Sequence, residues 1–237
     1  TTGLIASDRS YQHPKIPVLT TPGCFAKTPD DMSLLLDLVV GSNKSDPLSF
    51  DISDKFENTT LSDKEFSEIK IVVLNNLISS YDFEKGIVEM FEDKLMNLKN
   101  YSKVESINND IKTNEIWDSW TCFRAKSIYH DTKNMQIQNI NHMTDQAIWE
   151  YNKGSEIKDD DLKIAYSKKN KILVQIEEIF NKFDFIVLPS SQVFPFNKDI
   201  QYPKRINEIE LDTYHRWLEV FVIPSLFNLP TLTVPIG

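Results

Sequence analysis

Two short apolar runs constrain the fold of this chain more than any other feature of its sequence. The first, IKIVVL at residues 69–74, is rich in β-branched side chains, and the second, DFIVLP at residues 184–189, ends at a proline. Nearly continuous apolar runs of this length are typical of strands covered on both faces, as in parallel sheets between layers of helices. The sequence therefore predicts two buried strands, the second of which stops at its proline.

Helical patterns fill most of the sequence around these runs. After the second run, residues 192–205 form a proline-interrupted loop, and residues 212–228 are helical in pattern, although Pro224 should kink or break that helix. Weaker strand patterns lie at residues 104–107 and 232–235. This alternation predicts an α/β layered protein. Three further helices are predicted at residues 82–98, at 114–130 and from about residue 158, with apolar faces made by Phe83, Ile87, Phe91, Leu95 and Leu98, by Trp117, Trp120 and Phe123, and by Ile172, Ile176, Ile179 and Phe180.

One more helix is specified near the beginning of the sequence. Thr28 is a good N-cap residue, Pro29 suits the first helical turn, and two aspartates follow at the positive end of the helix dipole. Gly41 can end the helix because it adopts positive φ values easily. Residues 41–68 are rich in Ser, Asp, Asn and Lys, which is typical of a surface connection. An apolar face that should pack on a core is formed by Met32, Leu35, Leu36, Val39 and Val40.

Composition excludes several classes of function. The net charge of −9 opposes binding to the phosphates of nucleic acid, and no apolar run is long enough to cross a membrane. Cys24 and Cys122 are too few for a disulfide framework, so we expect them to be structural or incidental. We expect a cytoplasmic protein of 237 residues that has no nucleic-acid or membrane partner.

The glycines limit the chemistry that the chain can perform alone. Only six occur, and no two are neighbours, so the sequence contains no Gly/Ser-rich nucleophile loop, GxSxG elbow, P-loop or GxGxxG turn. The serine pairs at residues 79–80 and 190–191 have no adjacent glycine and are interpreted as loop or helix-end hydroxyls rather than nucleophiles. Thr1 could act as an N-terminal nucleophile.

Metal chemistry has little support in the sequence. The four histidines show no HExxH or paired ligand spacing, and His142 with Asp145 is only a weak i, i+3 pair. The aspartates at residues 159–161 could bind a cation, although a solvated helix start explains them better. We therefore predict no metal ligands.

Three segments resemble the amidase signature family. PGCFAKTPDDMSLLLDLVVG at residues 22–41 is similar to the family's turn and leucine-rich helix. FDFIVLPSSQVFPF at residues 183–196 is similar to its late strand and Pro-Thr-rich loop, and residues 211–237 resemble its final helix and strand. The opening TTGLI also fits the run that follows the nucleophile loop. The departures are Lys27 in place of arginine, a Pro-Gly order at residues 22–23 and Asn228 in place of glycine.

The resemblance implies a layered α/β/α fold with a mixed sheet covered by helices, in which residues 1–237 form part of one domain. It also implies hydrolysis of a small-molecule carboxylic amide, with no cofactor, through an acyl-enzyme on a serine. Because the chain contains no suitable loop, the catalytic residues are expected upstream or on a second chain, with none in this chain. The alternatives are a pseudoenzyme or other non-catalytic half-domain that binds a partner, and an amidotransferase subunit that passes ammonia to a tRNA-bound acid. The protein could also form a homodimer.

The substrate-binding residues are expected at the carboxyl ends of the strands, where ligands lie in open α/β sheets. The loop after the second strand supplies Gln192, which could hydrogen-bond an amide, and Phe194, which could wall an acyl or aryl pocket. The following helix supplies Tyr214 and Trp217, whose rings could close the pocket. Packing within the protein alone would explain these side chains as well.

Overall fold

The computed structural model describes residues 2–9, 12–56, 60–135 and 142–236. Thr1, and with it the hypothesis of an N-terminal nucleophile, lies outside these residues. The chain divides into two compact units, and the expectation of a single domain stays a prediction. Unit 1 comprises Thr1–Thr60, Thr121–Lys163 and Pro224–Thr231, and unit 2 comprises Leu61–Trp120, Ile164–Ile223 and Leu232–Gly237.

The main sheet lies in unit 2 and is parallel. Strand β1 (Lys70–Leu74) pairs with β2 (Lys103–Ile107) on one side and with β3 (Phe185–Ile186) on the other. Residues 71–74 of β1 are buried, so the first apolar run is the central strand, as predicted. Antiparallel pairing occurs in a separate ribbon of β4 (Arg205–Ile206) and β5 (Ile209–Glu210). The layered α/β fold is as expected, whereas among the described strands the parallel and antiparallel pairs lie in separate sheets rather than in one mixed sheet.

The second apolar run differs from its prediction. Only Phe185 and Ile186 form a ladder with β1, and two further backbone hydrogen bonds join the Asp184 nitrogen to the Lys70 oxygen and the Val187 nitrogen to the Val72 oxygen. The Phe185 side chain is 54% exposed, so the prediction of a second buried strand was wrong. The reason is position, because among the described strands β3 is at an edge, where only one side of its backbone is paired.

The α-helices described are α1 (Pro29–Val39), α2 (Asp63–Glu68), α3 (Asn75–Ile78), α4 (Ile87–Leu98), α5 (Thr113–Asn134), α6 (Asp145–Glu156), α7 (Asp159–Phe180) and α8 (Val222–Phe227). Helices α4, α5 and α7 confirm the three helical patterns predicted around the two runs. The long helices α5 and α7 bury most of the apolar residues predicted for them, with Phe123 and Ile172 at 0% exposure. Helices α2, α3 and α6 were not predicted.

Helix α4 begins later than predicted. The pattern indicated a start at residue 82, but residues 82–86 form a connection, and Gly86 at φ +102° precedes the first helical residue. The Glu89 side chain accepts a hydrogen bond from the Gly86 nitrogen, which satisfies one free donor at the helix start. Ile87 and Phe91 are buried as expected, whereas Phe83 lies in the connection.

Helix α1 forms as predicted but does not bury its apolar face. The Thr28 hydroxyl accepts a hydrogen bond from the Asp31 nitrogen at 3.1 Å, and Gly41 follows the helix at φ +138°. Within the described chain no residue of α1 is buried; on the predicted face, Met32, Leu35 and Leu36 are half-buried and Val39 is 41% exposed. The face that was expected to pack on a core is therefore only partly covered by these residues.

The helix predicted at residues 212–228 and the strand predicted at residues 232–235 also differ from their predictions. Residues 212–228 form a 3-10 helix (Arg216–Phe221) followed by α8, and the kink is at Leu218 rather than at Pro224. Pro224 lies in the first turn of α8, where its missing N–H costs nothing. Residues 232–235 belong to no strand among the described elements, and Leu232 is 71% exposed.

The connection at residues 41–68 is irregular, as predicted, apart from α2, which begins with a capping box between Ser62 and Glu65. It is also anchored, because the buried carboxylate of Asp46 pairs with Arg9 at 2.8 Å. Nowhere in the described residues is there a helix with both the length and the hydropathy that a membrane span requires.

Candidate functional site

The candidate site lies in unit 2, at the edge where the parallel strands end. Because β1, β2 and β3 run the same way, the segments that follow them, residues 75–86, 108–112 and 187–197, leave the same edge of the sheet. Ligands of open α/β sheets bind at this edge. The predicted residues Gln192 and Phe194 follow β3 directly.

The exits of β1 and β2 are joined by two asparagines. The Asn109 nitrogen donates to the Asn76 side-chain oxygen at 2.9 Å, and the Asn76 amide donates to the Asn109 carbonyl. The Asn109 side-chain nitrogen is buried and has no acceptor in the described part of the chain. The two exits are therefore fixed to each other by side-chain to main-chain hydrogen bonds.

Gln192 is enclosed rather than open to a ligand. Its side chain is 1% exposed; the Nε2 atom donates to the Asp82 carbonyl at 2.9 Å, and Oε1 accepts from the Val220 nitrogen at 3.1 Å. Both ends of the amide are thus occupied by main chain. Direct contact between Gln192 and a substrate stays a prediction that this geometry does not favour.

Phe194 lies beside the connection that precedes α4. Its nitrogen donates to the Glu84 carboxylate at 2.8 Å, and the Glu84 nitrogen donates to the Gln192 carbonyl at the same distance. The ring passes over Gly86, where a Cβ atom would be 3.7 Å from the ring edge. The ring itself is 38% exposed, so it offers an apolar surface at this edge.

Tyr214 and Trp217 are both partly exposed and each contacts another aromatic ring. Tyr214 lies 3.7 Å from His215 between ring centroids, and Trp217 meets Phe196 edge to face at 5.4 Å. These distances place Trp217 next to the loop that carries Phe194.

A charged cluster occupies the turn around Tyr214 and Trp217. Arg216 binds the Asp212 carboxylate through Nε and Nη2, at 2.9 and 2.7 Å, and Glu219 through Nη1 at 3.0 Å. Its guanidinium carbon lies 3.9 Å from the ring centroid of Trp117. Arg216 is therefore neutralised and stacked, which makes it a packing element rather than a free anion site.

Burial shifts two titrating groups in this region. Desolvation raises the pKa of the Glu219 carboxyl, and the hydrogen bond and charge of Arg216 oppose it only in part. Burial, with a smaller contribution from Glu219, also raises the pKa of the Tyr81 hydroxyl. In the described residues that hydroxyl has no hydrogen-bond partner. Tyr81 therefore stays neutral at physiological pH.

The serine pairs behave as loop and helix-end hydroxyls. Ser79 and Ser80 both donate to the Asn76 carbonyl, and Ser191 donates to the Val193 carbonyl at 2.6 Å. Trp117, Trp120 and Phe123 are buried and form core, as the packing interpretation requires. No group of three or more potential metal ligands is found among the described residues.

Sequence reasoning identified the loop after β3 but missed its partners. Glu84 was placed inside a helix, and Asn207, whose side chain binds the Phe83 carbonyl at 2.9 Å, received no role. The signal available for the connection was Gly86, whose positive φ separates it from α4.

Several solved structures share this architecture. The chain matches a bacterial aryl acylamidase of the amidase signature enzymes family with a TM-score of 0.70 at 15% identity, over 94% of this chain and 48% of that one. It matches a glutamyl-tRNA(Gln) amidotransferase subunit from Thermotoga maritima with a TM-score of 0.60 at 21% identity, over 86% and 43%. It matches 6-aminohexanoate cyclic dimer hydrolase with a TM-score of 0.62 at 9% identity, over 86% and 45%.

At these identities the structural likeness shows the fold alone, which is the amidase signature α/β fold. The family model described as Amidase matches residues 1–237. The chain belongs to the amidase family. It spans about half the length, or less, of the solved structures named above. No curated protein matches it in sequence.

Proposed function

We propose that this chain forms the substrate-binding part of an amidase that hydrolyses a carboxylic amide to an acid and ammonia or an amine. The observation that carries the proposal is the match of the Amidase family model to residues 1–237. The substrate is a small molecule, and the aromatic rings at the carboxyl edge, above all Phe194, supply its apolar contacts. The cytoplasmic location remains a prediction from the sequence.

The nucleophile is a serine that lies outside these 237 residues, upstream or on a second chain. Two observations support this part of the proposal. The six glycines are all isolated, so no segment resembles a Gly/Ser loop whose backbone N–H groups bind an oxyanion. The hydroxyls of Ser79, Ser80 and Ser191 already donate to main-chain carbonyls.

The test combines labelling with an activity assay on the native protein. The protein is incubated with a fluorophosphonate that reacts with activated serines, and the adduct is located by peptide mass spectrometry. Ammonia release from hexanamide and 4-nitroaniline release from 4-nitroanilides are measured in parallel, together with the denatured mass. We expect hydrolysis, one modified serine outside residues 1–237, and either a denatured mass above 27.5 kDa or a second chain.

Other results would contradict the proposal in distinct ways. An adduct on Ser79, Ser80, Ser190 or Ser191 would move the chemistry into this chain. A single 27.5 kDa species that neither hydrolyses amides nor reacts with the probe would show that catalysis is absent. That outcome would favour a half-domain that binds a partner.

A second candidate is a tRNA-dependent amidotransferase. The likeness to the glutamyl-tRNA(Gln) amidotransferase subunit from Thermotoga maritima, at 21% identity, is the observation in its favour. Such a protein would release ammonia from glutamine and would purify with a partner protein. Hydrolysis of anilides without hydrolysis of glutamine would exclude it.

A further inference from the structure

We propose that Gln192 and Glu84 are positioning residues that fix the ring of Phe194 as the wall for the acyl or aryl group of the substrate, and that Gln192 itself does not touch the substrate. This inference rests on the proposed function. It replaces the expectation that Gln192 hydrogen-bonds the substrate amide, because the structure gives that side chain another task.

The first step is the enclosure of the Gln192 amide. A ligand residue needs a free donor or acceptor that faces a cavity, but this side chain is 1% exposed. Its two ends bind the Asp82 carbonyl and the Val220 nitrogen, which lie on different segments of unit 2. The amide therefore connects the loop after β3 to the connection before α4 and to the 3-10 helix.

The second step is a reciprocal pair of hydrogen bonds around Glu84. Its backbone nitrogen donates to the Gln192 carbonyl, and its carboxylate accepts from the Phe194 nitrogen, both at 2.8 Å. The second bond is charge-assisted and therefore stronger than a neutral one. Glu84 thus holds the loop at two points, one on each side of Val193, which is itself 9% exposed.

The third step is the position of the Phe194 ring. It lies over Gly86, where a Cβ atom would be 3.7 and 3.8 Å from its Cε2 and Cζ atoms. The backbone nitrogen of Phe194 is fixed by Glu84, while 38% of the residue's surface remains open. A ring supported on one side and open on the other can form a pocket wall without rearranging.

The test uses the full protein and a series of 4-nitroanilides whose acyl chains lengthen from acetyl to decanoyl. Gln192→Met keeps the shape of the side chain but removes both hydrogen bonds. Glu84→Gln keeps the acceptor for the Phe194 nitrogen, and Glu84→Leu removes it. Phe194→Ala removes the wall, and Gln201→Met, at an exposed glutamine, is the control. Deuterium uptake of the Val220, Glu84 and Phe194 amides is measured for each variant.

We expect Gln192→Met to speed exchange at the Val220 amide and to raise KM for the longest anilides about tenfold, with kcat changed less than about twofold, because only uniform binding is lost. Phe194→Ala should raise KM in the same way. The double variant Gln192→Met with Phe194→Ala should have the same KM as Phe194→Ala alone, because both changes remove the same wall. Glu84→Gln keeps the acceptor but loses the charge, so it should raise KM for the longest anilides less than Glu84→Leu does.

Several results would overturn the proposal. A rise in KM of equal size for every chain length, or a fall in kcat alone, would mean that Gln192 acts on the reacting amide. Faster exchange with unchanged KM would mean that the hydrogen bonds do not position a substrate wall. If Gln192→Met fails to fold, the two Glu84 variants decide the same question.

Failure of the proposed function gives a different pattern. If the wild-type protein hydrolyses no anilide, binding of the same compounds is measured by tryptophan fluorescence. Binding that weakens for long chains in Gln192→Met and Phe194→Ala would support the positioning role without the catalytic one. Absence of binding in the wild-type protein would overturn both.

Discussion

Helices α7 and α1 were predicted from the same kind of apolar pattern, yet they differ in burial. On α7, Ile172, Ile176 and Ile179 are at most 7% exposed. On α1, no residue is buried, and Val39 on the predicted apolar face is 41% exposed. The pattern that predicts an amphipathic helix also predicts which face is apolar. It does not predict whether the same chain supplies the surface that covers that face.

The largest expected effect of this difference in burial is on the free energy of unfolding. Ile172→Ala removes a side chain with 0% exposure from α7, so it should lower the free energy of unfolding by about 2–5 kcal/mol. Val174→Ala is the matched control, because that side chain is 53% exposed on the same helix. Urea denaturation of the purified chain measures both. Equal losses for the two variants would mean that α7 does not form this core.

Two glycine-to-alanine changes compare a tightly packed position with an open one, because each change adds a Cβ atom. A Cβ atom on Gly154 would lie 2.1 Å from the Ala125 carbonyl oxygen, so Gly154→Ala should cost about 1–3 kcal/mol although alanine favours helices. Gly23 precedes α1 and has no atom within 4 Å of the same position, so Gly23→Ala should change little. Thermal unfolding of both variants distinguishes them. A more stable Gly154→Ala variant would show that the contact is looser than it is here.

Charge provides a third test, at Glu219. Burial raises the pKa of this carboxyl above its ordinary value of 4.5, so the folded state binds the proton more tightly than the unfolded state. Its contribution to stability is fully present below pH 4.5 and is lost as pH rises through the folded-state pKa. Glu219→Gln should therefore flatten the fall in unfolding free energy between about pH 4 and pH 8.

Urea denaturation across that pH range measures the slope for wild type and Glu219→Gln. Glu208→Gln changes an exposed carboxyl and is the control. If the unfolding free energy depends on pH in the same way in all three proteins, the pKa of Glu219 is not raised. A steeper fall of the unfolding free energy in Glu219→Gln would mean that the pKa of Glu219 is lowered instead.

The smallest effect is expected on α1. Leu38→Ala should change the unfolding free energy of the isolated chain by less than about 0.5 kcal/mol, because the side chain is exposed. The double change Leu34→Ser with Leu38→Ser should lower light scattering by the isolated 237-residue chain, since it removes part of an exposed apolar patch. A large loss of stability from Leu38→Ala would show that α1 packs more tightly than its exposure indicates.

Local signals account for the parts of the fold that the sequence predicted. The cap at Thr28, the apolar run of β1 and the spacing of Ile172 with Ile176 each act within a few residues. Helix α6 was missed because its core-facing positions are not aliphatic; its buried residues are Glu150 and Gly154. The available signal was Thr144, an N-cap whose hydroxyl accepts from the Ala147 nitrogen.

The candidate site was predicted only in outline. The rule that ligands bind beyond the carboxyl ends of strands directed attention to Gln192 and Phe194. It could not reveal that the Gln192 amide binds Asp82 and Val220, because those contacts join segments far apart in the sequence. A glutamine that binds main chain and one that binds substrate look the same in the sequence.

The pairing of β1 with β3 also sets an order of events during synthesis. Lys70 and Asp184 bind each other at the start of this pair but are separated by 114 residues. At the usual rates of translation, Asp184 emerges about 6 to 23 s after Lys70. Strand β2 can pair with β1 long before then, while the other side of β1 has no β3 to cover it. The central strand of the finished sheet is therefore an exposed edge in the nascent chain, where chaperones and aggregation compete for it.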